Sequence, residues 1–396
     1  MVFKTLAKMA YPPNGLSSIA NPEHEGYQIC NNCIMDTSDP EITFNHSGRC
    51  NHCSQTKNYS CEENKAYEQV FQRYVDSFIA KIKSDGKGKP YDCIIGVSGG
   101  VDSSYVAWLV KDKGLRPLAI HLDNGWNSEV AVKNIHTLLK ILNIDLYTHI
   151  LDWEEFKDLQ IAFLKSSTPD LEIPSDHAIV ALNYKIAQKY KINYFINGSN
   201  HQTESIMPRL WSQGHADWNY IKSIHEQFGT RKLRSYPHYS WSQKKYYSDI
   251  LGIKWFNILE YINYRKLSAT QFLKDELGWI PYGVKHGESI YTRFYQEYIL
   301  PRKFNADKRR AHLSNLITNG EVTREEALSQ LEQGNPDSES LEQDKFYVIK
   351  KLGISLSEFE IIMNTPPMSI HDYNNSTYNP MFEKLETYYT KIKSLI

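Results

Sequence analysis

The sequence predicts an α/β fold built on a doubly wound parallel sheet, and three observations predict it. Apolar runs of strand length occur at Tyr91–Val97, Arg116–Leu122, Asp145–Ile150 and Tyr194–Asn197. Stretches with helical spacing separate them, at Ser103–Lys113, Val130–Leu142, Trp153–Ser166 and Ser175–Tyr190. A glycine turn directly follows the first run. Strands alternating with helices argue for a parallel sheet joined by right-handed crossovers.

The remaining elements fall on either side. Residues 1–60 hold an irregular leader, with Pro12, Pro13, Asn14, Gly15, Pro22 and Gly26, and then a cysteine-bearing module from Tyr27 to Tyr59. Residues 61–90 read as a helical linker, helix Glu62–Ser84 followed by the turn-forming segment Asp85–Pro90. The α/β domain is expected over 91–240. A helical region, 241–334, follows, with helices at 241–274, 287–299 and 305–317 and a helix start at Thr323-Arg324-Glu325-Glu326 that resembles a capping box. Residues 335–396 read as a helical appendage.

Bulk properties narrow the function classes. With 396 residues, 41% hydrophobic and 23% charged, the chain buries a large core without disulfides. The net charge of −1 supplies no overall positive field, so nucleic acid is not an expected partner. No apolar run has the length of a membrane span, and Met1–Ala10 leads into no signal-peptide core. A cytoplasmic protein with no membrane partner is expected.

Ser98-Gly99-Gly100-Val101-Asp102-Ser103-Ser104 carries the strongest chemical signal. A strand–glycine loop–helix arrangement aims unpaired backbone N–H groups and a helix N-terminus at one point, a place for phosphate oxygens. Glycines allow close approach, serine hydroxyls add donors, and Asp102 supplies negative charge for a magnesium ion on the phosphates. The loop lacks the lysine of the Gly-Lys-Ser/Thr nucleotide loop and does not match the dinucleotide fingerprint. Lys285 and Arg293 lie eight apart in Lys285-His286-Gly287-Glu288-Ser289-Ile290-Tyr291-Thr292-Arg293. On one helix they would share a face and neutralise a departing pyrophosphate, or else form a solvated face.

Cys30-x2-Cys33 and Cys50-x2-Cys53 have the spacing of two metal knuckles, and four thiolates make a closed, structural zinc site. His46 and His52 are spare ligands. An iron–sulfur cluster or redox thiols are the competing readings. Cys61 and Cys93 are left over, Cys93 inside a strand.

Ser98–Ser103 resembles the pyrophosphate loop of the PP-loop ATP pyrophosphatases, which include GMP, NAD and asparagine synthetases and the tRNA thiolases. That resemblance implies a doubly wound sheet and transfer of AMP from ATP to a substrate oxygen. Ile120-His121-Leu122-Asp123 is similar to the segment that holds adenine there, and Gly198-Ser199 with downstream Glu204 to the corresponding part of NAD synthetase. The match makes Asp102 and Glu204 the magnesium candidates. Asp123 also reads as a turn residue and Glu204 as a solvated helix acid.

More narrowly, the pattern resembles the N-acetyl sugar amidotransferases of bacterial surface-polysaccharide (lipopolysaccharide, O-antigen) synthesis. The cysteine knuckles, Gly96–Ser104, His121–Trp126, Lys285–Ser289 and Lys308–Ser314 carry it. It implies conversion of an acetamido to an acetamidino group, with ATP, Mg2+ and Zn2+ as cofactors. Val2 presents no N-terminal cysteine, and no Gly-x-Cys-x-Gly elbow occurs, so a separate glutaminase partner is expected. The resemblance implies a pair like that of imidazole glycerol phosphate synthase. A PP-loop tRNA thiolase is the alternative. Trp211, Trp218, Tyr220, Tyr236 and Tyr239 read as a substrate wall or as core.

Overall fold

A computed structural model describes residues 26–55, 64–282, 287–333 and 338–393. The leader to residue 25, Cys61, Lys285 and His286 lie outside the described residues.

Helix α1 (Asn64–Asp85) leads into β1 (Cys93–Gly96). Then follow α2 (Val101–Asp112), β2 (Pro117–Asp123), α3 (Glu129–Leu142), β3 (Asp145–Ile150), α4 (Trp153–Ser166), α5 (Ile173–Tyr190) and β4 (Tyr194–Asn197). Together with β5 (Lys254–Asn257) these strands form one sheet of order β3-β2-β1-β4-β5, every pairing parallel. β1 is central because Cys93, Ile94 and Ile95 are apolar on both faces, which only a strand covered twice can afford. β3 closes one edge and leaves Leu146 and Ile150 exposed.

One face of the sheet packs against α1, α2, α3 and the later helix α7 (Lys266–Leu277), through Val75, Ile82, Val106, Val110, Leu138 and Leu273. The other takes α5, whose Leu182 and Ile186 meet Ile94, Leu118, Ile120 and Phe195. Asn143 and Lys191 end α3 and α5 in the left-handed region, and Ser128 caps α3 by accepting from the Ala131 N–H.

The helix expected over 241–274 is corrected. Only Trp241–Lys245 is α-helical before a wide π-type turn at Tyr246–Ile250, and β5 follows. Gly252, at φ +65°, turns the chain, and a four-residue strand is too short to show periodicity in the sequence. The sheet therefore extends past residue 240.

The second layer is helical: α6 (Trp218–Phe228), α8 (Ile290–Phe294, continuing through Phe304), α9 (Lys308–Thr318), α10 (Arg324–Glu332), α11 (Ser338–Leu352), α12 (Leu356–Asn364) and α13 (Pro380–Lys393). Thr323 and Glu326 form the expected capping box of α10. Of these, α6, α8, α9, α11 and α12 share one apolar core with α4 and the cysteine module. Among the described residues no helix is long and apolar enough to cross a membrane.

Candidate active site and metal centre

The glycine loop lies where β1 gives way to α2, at the C-terminal edge of the sheet, where open α/β sheets bind ligands. Gly99 has φ +86°. An added Cβ would stand 2.8 Å from the Ala131 carbonyl oxygen and 3.0 Å from the Tyr282 hydroxyl. The Gly99 carbonyl accepts from Trp279 Nε1–H (2.8 Å) and from the Tyr282 hydroxyl, so two aromatic residues turn it away from the loop mouth. Gly100 caps α2 with no side chain, leaving the first-turn N–H groups without a side-chain acceptor. Ser98 and Ser103 hydroxyls lie 3.1 Å apart, and the Gly100 N–H donates to Ser98 Oγ at 3.2 Å. The loop is a preformed cradle of donors.

That cradle opens into a cavity of about 740 Å³. Ser98, Gly100, Val101, Asp102 and Ser103 line it together with Gly198 and Glu204. Gly198, just past β4, packs so closely that a Cβ would meet the Asp102 backbone at 3.1 Å. Asp102 Oδ1 accepts from the Tyr264 hydroxyl at 2.5 Å, and Oδ2 lies 3.7 Å from Lys266 Nζ. Burial and then the Asp102 charge push the Tyr264 phenol well above its usual range, so it remains a donor. Asp102 and Glu204, with Glu288 and Glu297 also on the cavity wall, suit a hard cation such as magnesium, which takes few protein oxygens and keeps waters.

At the end of β2, Ile120 is core and His121 is buried, its Nδ1 2.9 Å from the Val97 carbonyl. That contact requires a proton on Nδ1 and leaves Nε2 to accept from Asn127 Nδ2–H at 3.0 Å. Leu122 is half-buried. Asp123 Oδ1 accepts from the Gly125 N–H (2.9 Å) and Asn127 Nδ2–H (3.1 Å), which shapes the turn. Ser199 donates its backbone N–H to Asn197 Oδ1 at 2.9 Å.

The expected Lys285–Arg293 helix face is corrected. Residues 288–290 bridge to 126–128, with Ser128 N–H to Glu288 O at 2.8 Å and Ile290 N–H to Trp126 O at 3.0 Å. Those bonds occupy the backbone, so α8 starts only at Ile290, capped by Ser289. Arg293 is engaged by Asp344 instead, with two contacts of 2.7 Å. Of the two readings of the aromatic segment the core one holds: Trp211, Tyr220, Tyr236 and Tyr239 are each buried in core, and Trp218 is half-buried.

Sequence reasoning missed Tyr264, Lys266, Trp279 and Tyr282, which grip the loop from residues more than 160 positions away. Lys308, quoted only as part of a family segment, also reaches the cavity.

Cys30, Cys33, Cys50 and Cys53 are fully buried, their four Sγ atoms all within 4.8 Å of one another. Cys30–Cys53 and Cys33–Cys50 are 3.9 and 3.7 Å apart. A tetrahedral zinc with Zn–S of about 2.3 Å places its sulfurs about 3.8 Å apart. Each sulfur accepts an N–H: Cys30 from Cys50, Cys33 from Met35, Cys50 from Cys53, and Cys53 from Asn32 Nδ2. Such donors favour thiolates. His52 turns away, its Nε2 2.6 Å from Asp39. The module is clamped from far along the chain. Arg324 donates to the Cys30 and Cys33 carbonyls, Arg310 to the Ile34 carbonyl, and Ser314 Oγ accepts from the Ile34 N–H. Cys93 lies at the start of β1, fully buried, and burial pushes its thiol up.

A family model described as "LPS biosynthesis protein WbpG-like, C-terminal domain" matches residues 288–386. These residues carry a WbpG-like C-terminal domain. The WbpG-like segment spans about a quarter of the chain and includes α8 and α9, which border the cavity. No curated protein sequence matches the chain. Solved structures similar to it include an NH3-dependent NAD synthetase from Campylobacter jejuni, with 21% identity over 34% of this chain and TM-score 0.27. This chain spans only 58% of that one. An NMN synthetase from Francisella tularensis shows 17% identity over 74% of this chain and 97% of that one, TM-score 0.28. A predicted subunit of a tRNA methyltransferase from Methanocaldococcus jannaschii shows 17% identity over 46% and 76%, TM-score 0.28.

Proposed function

We propose that this protein is the synthetase subunit of an amidotransferase. It adenylates the acetamido oxygen of an N-acetylated sugar at the expense of ATP, and ammonia then displaces AMP to leave an acetamidino group. One observation carries the reading: the donor cradle at Ser98–Ser103, the carboxylates Asp102 and Glu204, and the WbpG-like helices all border one cavity.

An amide oxygen is a poor leaving group, so ammonia cannot displace it directly. The acetamido oxygen attacks the α-phosphorus of ATP, the bond to the β-phosphate oxygen breaks, and pyrophosphate leaves. Ammonia adds to the resulting imidate carbon, AMP departs with the former amide oxygen, and one proton is released. The loop N–H groups hold the β- and γ-phosphates through charge-assisted hydrogen bonds, and Lys266 adds positive charge beside Asp102. Magnesium held by Asp102 and Glu204 would neutralise phosphate charge. Catalysis here is positioning and electrostatics, with the substrates held in attack geometry. The four cysteines hold zinc in a structural role, and a separate glutaminase subunit supplies ammonia.

Pyrophosphate release, assayed with ATP, magnesium, an ammonium salt and a panel of N-acetylated sugars, tests the reading. A sugar-dependent burst of AMP and pyrophosphate is expected. ADP with orthophosphate, or no turnover with any sugar, would overturn it. The thiolase alternative gains nothing from Cys93, which is sealed in the core.

A further inference from the structure

The cavity continues beyond the phosphate cradle to Gln296 and Lys308, and behind these lies a polar group that the adenylation chemistry leaves unused. Glu172 accepts from Gln296 Nε2–H at 3.0 Å and faces Lys308 Nζ at 3.8 Å. Lys308 is only 6% exposed, its ammonium 5.3 Å from the centre of the Tyr295 ring. One helical turn earlier, Tyr291 is 3% exposed, and its hydroxyl has no hydrogen-bond partner among the described residues. The charges of Glu172 and Asp170 both bear on that phenol, which burial above all pushes beyond its usual range.

Asp176, in the first turn of α5, is open to solvent and makes no side-chain hydrogen bond among the described residues. Its backbone N–H donates to the Glu172 carbonyl at 3.0 Å, which sets it one helical turn beyond Glu172. Asn124 Nδ2 donates to Ser175 Oγ at 3.0 Å, tying this group to the end of β2, beside the cradle.

The donor set selects a ligand class. Glu172 faces the Lys308 ammonium and Asp176 stands one turn beyond Glu172, so acceptors outnumber cations and a second anionic diphosphate is disfavoured. The mixture of carboxylate acceptors with amide and ammonium donors does not suit a metal ion, which takes acceptors alone. It suits a neutral ring bearing several hydroxyls, each both donor and acceptor.

We propose that Glu172, Asp176, Gln296 and Lys308 form the acceptor subsite, binding the hydroxyls of a neutral sugar ring. This rests on the adenylation reading and adds its substrate side: carboxylates accept from ring hydroxyls, while Lys308 and Gln296 donate to them. Any nucleotide carrier on the sugar lies outside this lobe.

The test uses the full chain and its Glu172→Gln and Asp176→Asn variants, with N-acetylglucosamine, N-acetylgalactosamine and their UDP-linked forms as probes. Sugar binding is read by saturation-transfer NMR and calorimetry, ATP binding by calorimetry, and turnover by pyrophosphate release. Each variant is expected to weaken sugar binding by about 10-fold or more, as loss of a charged hydrogen-bond acceptor does, with ATP affinity within about twofold of wild type. Asp176→Asn alters an open side chain, so it keeps the test valid if Glu172→Gln fails to fold. Unchanged sugar affinity in the folded variants overturns the subsite, as does failure of the wild type to bind any of the four probes. Wild-type sugar binding that these substitutions weaken, without pyrophosphate release, supports the subsite while sinking the adenylation reading.

Discussion

Arg293 and Asp344 form a two-pronged ion pair between α8 and α11, Nε to Oδ2 and Nη2 to Oδ1, both at 2.7 Å. The side chains are 24% and 10% exposed, so the pair is shielded without being sealed. Arg293 thereby joins two parts of the WbpG-like segment. Arg293→Gln should lower stability by about 1–3 kcal/mol, because it strands the Asp344 carboxylate. Its KM for ATP should remain that of wild type. Denaturant melts and steady-state kinetics check both halves.

Gly99→Ala should leave a folded protein that has lost its phosphate site. The left-handed backbone costs an alanine about 1 kcal/mol, and the contact with Ala131 forces the loop to shift. ATP affinity by calorimetry should fall at least ~10-fold, a change of about 1.4 kcal/mol. Wild-type affinity would show that the cradle does not hold the nucleotide.

Asp102→Asn keeps the shape beside Tyr264 and removes the charge. Pyrophosphate release should drop by about 100-fold or more, in line with loss of a principal electrostatic group. Raised magnesium should recover part of it. Near-wild-type turnover would remove Asp102 from the metal site.

Cys30→Ser should lose the bound zinc and loosen the module. Arg324→Met should keep the zinc, since among the described residues Arg324 hydrogen-bonds the Cys30 and Cys33 carbonyls and no sulfur, yet raise amide exchange across 30–35. Metal analysis and hydrogen-exchange mass spectrometry separate the two. Stoichiometric zinc in Cys30→Ser would count against a four-thiolate site.

His177 makes stability pH-dependent. Its ring stacks 4.3 Å from Tyr239, Nδ1 lies 2.8 Å from the His215 carbonyl, and Nε2 accepts from the Tyr239 N–H. Burial pushes its pKa down to about 4. Between pH 6.5 and 4 the unfolded chain therefore binds the proton first. The contribution is full above pH 6.5 and lost as pH falls, about 2 kcal/mol by pH 5. His177→Gln should flatten that part of the profile in melts at pH 5 and 7.

Strand β4 and helix α4 could be read from the sequence because their apolar patterns stop at Gly198 and at Ser166-Ser167. The four cysteines were legible because knuckle geometry needs a two-residue gap. β5 was hidden in a helical-looking stretch, since four residues carry no period of their own. Arg293 was misplaced because eight-residue spacing matters only if the helix spans both ends, and pairing with residues 126–128 prevents that. Its partner Asp344 lies 51 positions on, beyond any local pattern. The same holds for Tyr264, Trp279 and Lys308. Local chemistry marks the loop, whereas long-range packing supplies what surrounds it.

The grip of Arg324, Arg310 and Ser314 on the cysteine module also imposes an order on synthesis. The Ile34–Ser314 contact spans 280 positions. At roughly 5–20 residues per second, the knuckles spend about 15–60 s outside the ribosome before the residues that pin them are made. Throughout that interval the four clustered thiols stand without that outside support, and only the N–H donors within the module itself are there to hold their sulfurs in place.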